Sequence, residues 1–458
     1  MNFETFRAQF KGDLVTPTDP DFELAIDRWA ANAKRRAAVV AFTKDAEDVA
    51  LAIKYARGAT LRIAVRGGGH SPAGTSSCED GLVVDLSRYM NAVRVDPEMR
   101  LAYVQGGAQW VAVDREAIKY GLAAVAGTVN HTGVGGLSVG GGYGWQSAAH
   151  GLVIDNTIQH TVVTADSRIL TANKESHPNL FWGIRGGGSN FGVVTEFVFK
   201  LHPQRPTVFA GQIIYSEDKC EEIAAFLDEW WPRASEKEGC MSAMARGPDG
   251  NPCIVLFVFY NGTEKEGREA YKGLFDIAHL VDHTKEVPYE ELNAMTNPQA
   301  DWGANYYFKG VLLGAKPSDD LNPRIFSQIM EMSNCKDLSV AILLEFIPHG
   351  KINSVPASAT PFRRDLRGNT LILVKWVNDS PGMNQKARDL ANTIAQILPT
   401  GEGYGNYAPD SDALPVSGAM PSDRSKALFR EAYPRLQAVK KEYDPDMVFN
   451  QWYTVVPA

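Results

Sequence analysis

The sequence predicts an α+β protein of two domains, and three observations carry that reading. At 458 residues the chain is too long for one compact core. Up to about residue 205 it mixes short strands with helices and holds four glycine clusters, Gly67–Gly69, Gly106–Gly107, Gly140–Gly142 and Gly186–Gly188. From Pro206 the clusters stop, aromatics rise, and long apolar strands are separated by amphipathic helices, the pattern of an antiparallel sheet covered by helices.

The elements follow in chain order. AAVVAF reads as a strand. TKDAEDVALAIKYARG is a helix capped at Thr43, with Val49, Ile53 and Ala56 on one face and a stop at Gly58. LRIAV and LVVDL are strands, and NAVRVDPEMRLAYVQGG is a hairpin turning at Asp96-Pro97. AQWVAVDREAIKYG is a helix ended by Gly121; TIQHTVVTADSRILTA is a second hairpin, turning near Asp166; FGVVTEFVFKLHP is the strand that closes the region. In the second region TVFAGQIIY, CIVLFVFY, LSVAILLEFI and NTLILVKWV are strands, and EEIAAFLDEWW and QKARDLANTIAQIL are helices. A last helix starts at a Ser422 cap and runs through SDRSKALFREAYPRLQAVKKEY.

Composition narrows the function. Net charge is −8 and Lys and Arg form no long basic stripe, which argues against nucleic acid as a partner. No apolar run approaches the ~18 residues of a membrane span. The opening MNFETFRAQFKGDL lacks a basic start followed by an apolar run, so a cytoplasmic or otherwise intracellular protein is expected. Five scattered cysteines with no C-x-x-C pair fit a reduced compartment.

Four glycine clusters at strand ends suit the close approach of backbone to a long phosphate-containing cofactor, although each alone also reads as a tight turn. No G-x-G-x-x-G lies between a strand and a helix, and no GK[ST] P-loop is present. GLSVG matches the hydrolase pattern G-x-S-x-G around Ser138, but VGGGYGW is a poor helix start for a nucleophile elbow. H-E-x-x-H is absent and the nine histidines show no metal-ligand spacing.

VRGGGHSPAGTSSCEDGLVVDLS, AGTVNHTGVGGLSVGGGYGW, HGLVIDN and NLFWGIRGGGSNFGVVTEFVFKLHP together resemble the FAD-binding domain of the vanillyl-alcohol-oxidase superfamily. PHGKINSVPASATPFRRD, YGNY and YDPDMVFNQW resemble the substrate domain and C-terminal segment of its berberine-bridge-enzyme-like oxidases. The resemblance implies an FAD-binding domain of two small α/β subdomains over 1–205, a substrate domain over 206–415, and a segment over 416–458 that returns to the first. It implies an FAD joined through a single covalent link, from His70 to the 8α-methyl of the flavin ring. It implies cofactor contacts from Arg66, Gly67, Gly68, Gly69, His70 and Ser71; from Gly127, Thr128, Val129, Thr132, Gly133, Gly136, Ser138 and Gly141; and from Asn156, Gly192, Val194 and Asn450.

The chain departs from its relatives in two places. Val129 stands where many carry a second flavin-linking Cys, so one link is expected; His131, two residues on, is the other nucleophile in reach of that role. Pro72 replaces an active-site Tyr found in several members. Thr132 matches a position that controls dioxygen access, and a small residue there favours an oxidase.

For the chemistry, GEGYGNYAP resembles the family's Y-x-N-Y loop. Tyr404 is the first choice for a base, its phenol lowered by a nearby cation, and Asn406 and Tyr407 orient flavin or loop; an aromatic corner packing the loop is the alternative. Lys375 interrupts the apolar run TLILVKWV, either at an edge or facing the substrate, where it would lower a phenol's pKa or bind an acid. Arg363 and Arg364 are read as structural or surface residues, and Tyr306, Tyr307 and Trp376 as core before pocket. The expected activity is hydride transfer from an alcohol, amine or activated C–H to FAD, with dioxygen giving hydrogen peroxide. A dehydrogenase with another acceptor, a flavoprotein cyclase or isomerase, and a Ser138 hydrolase are the competing readings.

Overall fold

The computed structural model describes residues 1–378, 380–398, 403–407 and 421–458. Its β content forms three principal sheets. The first, of four strands, is ordered Asp13–Val15, Val39–Phe42, Leu82–Asp85, Ile63–Arg66. The last three are parallel, so a crossover is needed, and the Ala46–Gly58 helix supplies it. That helix is capped by Asp45, whose carboxylate accepts the Asp48 N–H, and not by Thr43, which lies farther from the first turn. The Val49, Ile53 and Ala56 face is fully buried against this sheet.

The second sheet is antiparallel and holds both hairpins, in the order Val93–Asp96, Leu101–Gln105, Val193–Lys200, Thr157–Val163, Ile169–Ala172.

The third sheet, of eight antiparallel strands, dominates residues 206–376. Period-two side-chain alternation sets its two faces. Along Ser339–Phe346, Val340, Ile342, Leu344 and Phe346 join one core with Ile223, Leu227, Ile325, Ile329 and Ile394 of the covering helices. Leu343 and Glu345 face the other way. Along Asn369–Trp376, Ile372, Val374 and Trp376 face the helices while Leu371 and Leu373 face the opposite side. Tyr307 also packs in the helix-covered core. The sheet therefore offers its second face to the glycine-rich half of the chain.

Four strands of this sheet, Glu238–Arg246, Asn305–Leu312 and the short Val281–Asp282 and Lys285–Pro288, escape the sequence reading. The final helix is also two: Pro421–Phe429 and Tyr433–Tyr443, broken over Arg430–Ala432, where Arg430 has φ 46°. The first begins at Pro421, so Ser422 lies inside it and is not its cap. Leu436, Val439 and Tyr443 of the second pack with Phe181 and Ile184 of the first half. Buried Lys440 ties this segment down, donating to Asp444 Oδ2 at 2.6 Å and to the carbonyls of Asn190 and Phe449, each at 2.7 Å. The expected boundary at 415/416 lies outside the described residues.

Candidate functional site

A cavity of about 310 Å³ lies between the glycine loops and the open face of the large sheet. Its floor is built by backbone. The loop after Ile63–Arg66 brings Gly67, Gly68, Gly69, His70 and Ser71 to the wall. The segment before and within the short Val134–Val139 helix brings Gly127, Thr128, Val129, Thr132, Gly133 and Gly136. Gly192 and Val194 complete it. The first two loops interlock: a Cβ on Gly68 would lie 2.5 Å from Gly133 Cα, so only glycine allows that approach. A Cβ on Gly136 would meet no atom within 4 Å, and it faces the cavity.

His70 stands where the glycine floor meets the sheet. Its ring stacks on Trp29 at 4.0 Å and 9°, and Trp29 stacks in turn on Tyr306 at 4.1 Å. Its Nε2 lies 3.1 Å from His131 Nδ1. Burial, helped by the neighbouring His131, pulls the His70 imidazole down to about 3, so it is neutral at pH 7.

The roof is apolar, with Phe308, Leu343, Leu371 and Leu373, and among the described residues it holds one carboxyl group, Glu345. Glu345 is buried; Oε1 accepts from Tyr407 Oη at 2.6 Å and Oε2 has no hydrogen-bond partner. Burial pushes this carboxyl up to about 8, against the smaller opposing pull of the Tyr407 bond. The Tyr404 oxygen accepts from Gly142 N–H at 2.9 Å and from Asn406 Nδ2 at 2.6 Å. Asn406 Nδ2 also reaches Leu137 O at 3.1 Å, so this loop locks onto the end of the glycine-rich helix.

The structure brings Tyr404, Asn406 and Tyr407 to the cavity but corrects the role expected of Tyr404. Among the described residues no Lys or Arg lines the cavity, and burial raises the Tyr404 phenol well above its ordinary value where a cation was expected to lower it. Lys375 is not brought there. It lies two residues beyond Leu373 on the same face and is ion-paired with Asp301.

Five expected cofactor residues are also absent from the wall. Arg66 is held beneath it by Asp85 at 3.1 Å. Gly141 abuts Phe362, and the Ser138 hydroxyl is buried without a partner inside the Val134–Val139 helix, not at a strand-to-helix elbow. The Asn156 amide donates to the His150 and Leu152 carbonyls and its Oδ1 meets His202 Nε2 at 2.7 Å. The Asn450 carbonyl accepts from Thr454.

Glu345 and Trp29 escaped the sequence reading. A signal for Glu345 was present: a carboxylate interrupts the apolar run VAILLEFI as the lysine interrupts TLILVKWV. Trp29 sits in a loop with no motif around it, and its part emerges only in three dimensions.

The residues fit a flavin dinucleotide. The open space over Gly136 and the Gly68–Gly133 contact form a floor that side chains would fill, and it runs without a break to the apolar roof and His70. Among the described residues no group of three His, Cys, Asp or Glu side chains is placed to hold a metal, and no helix is long and apolar enough to cross a membrane.

Comparison with known proteins agrees. Residues 37–173 match the family model described as an FAD binding domain, and residues 403–452 the one described as berberine and berberine like. The chain is 30% identical to the (R)-6-hydroxynicotine oxidase of Paenarthrobacter nicotinovorans over 98% of its own length and 97% of that protein's. It is 29% identical to an FAD-linked oxidoreductase of Aspergillus terreus over 100% and 96%. The crystal structure of 6-hydroxy-D-nicotine oxidase from Arthrobacter nicotinovorans superposes with a TM-score of 0.87 at 25% identity, covering 98% of this chain and 99% of that one.

Proposed function

We propose a reaction for this chain, which belongs to the berberine-bridge-enzyme-like FAD-linked oxidoreductases: it oxidises a small alcohol, amine or activated C–H, with Glu345 as general base and dioxygen as final acceptor. The observation that carries the reading is the Glu345 carboxyl, on a residue that lines the cavity, whose Oε2 is buried without a hydrogen-bond partner. When bound, FAD supplies the hydride acceptor and passes two electrons to dioxygen, giving hydrogen peroxide.

The chain's own residues do the rest. Glu345 takes the substrate's hydroxyl or amine proton, and Tyr407 fixes its other oxygen. Phe308, Leu343, Leu371 and Leu373 exclude water and hold the carboxyl near the pKa a base needs at neutral pH. Tyr404 and Asn406 orient the loop. In this reading residues 1–205 with 416–458 bind the cofactor and 206–415 supply the substrate face. His70 carries the single covalent link, and Val129, on the cavity wall, offers no nucleophile for a second. The small Thr132 side chain leaves dioxygen a way in.

The test is anaerobic bleaching of the purified yellow protein by a panel of aromatic alcohols and cyclic amines, followed by admission of air. Rapid return of colour with one peroxide per substrate supports the oxidase. A flavin that bleaches but stays reduced in air makes the chain a dehydrogenase. A product of unchanged oxidation state makes it a cyclase or isomerase.

A further inference from the structure

We propose that His131 is the positioning residue for covalent attachment at His70: it accepts the His70 Nε2–H, leaves the Nδ1 lone pair free to form the bond, and takes up the proton released. This rests on His70 being the attachment residue.

The geometry supports this pairing. The two rings meet through His70 Nε2 and His131 Nδ1 at 3.1 Å, with centroids 4.9 Å apart. His131 is not on the cavity wall while His70 is, so His131 stands behind its neighbour and is not itself placed to attach. Trp29 fixes the plane of His70 by stacking, and is held by Tyr306 on its other face and by a 2.9 Å bond from its Nε1 to the Ala300 carbonyl.

A neutral imidazole has one N–H and one lone pair. The 3.1 Å contact holds a single proton. If His131 donated it, His70 Nε2 would be engaged as acceptor and Nδ1 would carry hydrogen, leaving His70 no free lone pair. If His70 donates it, Nδ1 is the nucleophile. Burial disfavours the charged form of both rings, which keeps them in this one-proton arrangement.

The step balances. The Nδ1 lone pair forms the bond to the 8α carbon, that carbon loses one hydrogen, and the Nε2 proton passes to His131. The two electrons and two protons, one from the 8α carbon and one handed on by His131, would pass to the flavin ring and then to dioxygen, giving hydrogen peroxide. No further oxidant is needed.

The experiment uses the full chain, produced under riboflavin limitation and then given FAD. The covalent fraction is read as flavin retained on the acid-precipitated polypeptide over time. His131→Ala is expected to bind FAD but link on the order of 10²-fold more slowly. His131→Asn, whose Oδ1 accepts near the same place, is expected to recover part of that rate, and added imidazole to accelerate His131→Ala. Wild-type linkage by His131→Ala overturns the proposal. So does slow linkage that neither imidazole nor Asn improves, because that marks a merely structural effect. If His131→Ala does not take up FAD, the His131→Asn rate decides alone: a rate between wild type and zero supports the proposal, and wild-type rate overturns it. A wild-type chain that never retains flavin refutes the attachment reading at His70, a different failure.

Discussion

Tyr407 Oη donates a 2.6 Å hydrogen bond to Glu345 Oε1, across the seam between the C-terminal loop and the Ser339–Phe346 strand. The contact fixes the one carboxyl group that the described residues bring to the cavity wall and leaves its second oxygen buried without a partner.

Replacing that carboxyl separates chemistry from folding. Glu345→Gln keeps the shape and the Tyr407 contact but removes the base. Flavin reduction by substrate is expected to slow by about 10²–10⁴-fold, with flavin content unchanged, in anaerobic stopped-flow traces.

The same carboxyl predicts a pH profile. A base acts only when ionised, so the wild-type reduction rate should rise with pH and level off above about 8, and this limb should vanish in Glu345→Gln. Stability moves in the opposite sense. The folded protein holds a proton that the unfolded chain, with an ordinary value near 4.5, has released. The resulting stabilisation is present below that ordinary value and is lost as pH rises through about 8. The wild-type melting temperature should therefore fall more between those limits than that of Glu345→Gln.

Tyr404→Phe is expected to act on stability more than on chemistry. Its hydroxyl accepts from Gly142 and Asn406, and removing it leaves the buried Gly142 N–H unpaired and Asn406 Nδ2 with the Leu137 carbonyl alone, at a cost of about 1–3 kcal/mol. Thermal melts should show the loss while flavin reduction changes far less than in Glu345→Gln.

Lys375→Met tests the residue the sequence favoured and the structure moves aside. Its partner Asp301 is half exposed, and such pairs contribute about 0–1 kcal/mol. Substrate KM and the reduction rate should stay within about twofold of wild type.

Lys440→Met removes the cation from a fully buried pair and strands the Asp444 carboxylate. The expected loss is about 3–5 kcal/mol, seen as a lower melting temperature.

Much of this architecture is legible in the residues. Period-two runs such as LSVAILLEFI declare both strand and faces, and the glycine-flanked His70 marks a loop that lines the cavity. Glu238–Arg246 was not legible because its Met, Ala, Ser and Gly content carries little strand propensity; neighbouring strands hold it in place. Tyr404 drew attention by its motif, yet its protonation depends on which side chains surround it, and those come both from nearby Phe362 and Leu366 and from Tyr143 and Leu152, some 250 positions away. Lys375 and Glu345 are the same kind of signal, a charge in an apolar strand. Which one meets the cavity is decided by position along the strand, and that a sequence does not state.

The most direct measurement is the visible spectrum and intact mass of the acid-denatured polypeptide, wild type beside His70→Ala. The account predicts a yellow wild-type precipitate heavier by one FAD and a colourless His70→Ala precipitate of bare-chain mass. A colourless wild-type precipitate from a yellow native protein, or a covalent flavin that survives His70→Ala, would contradict it.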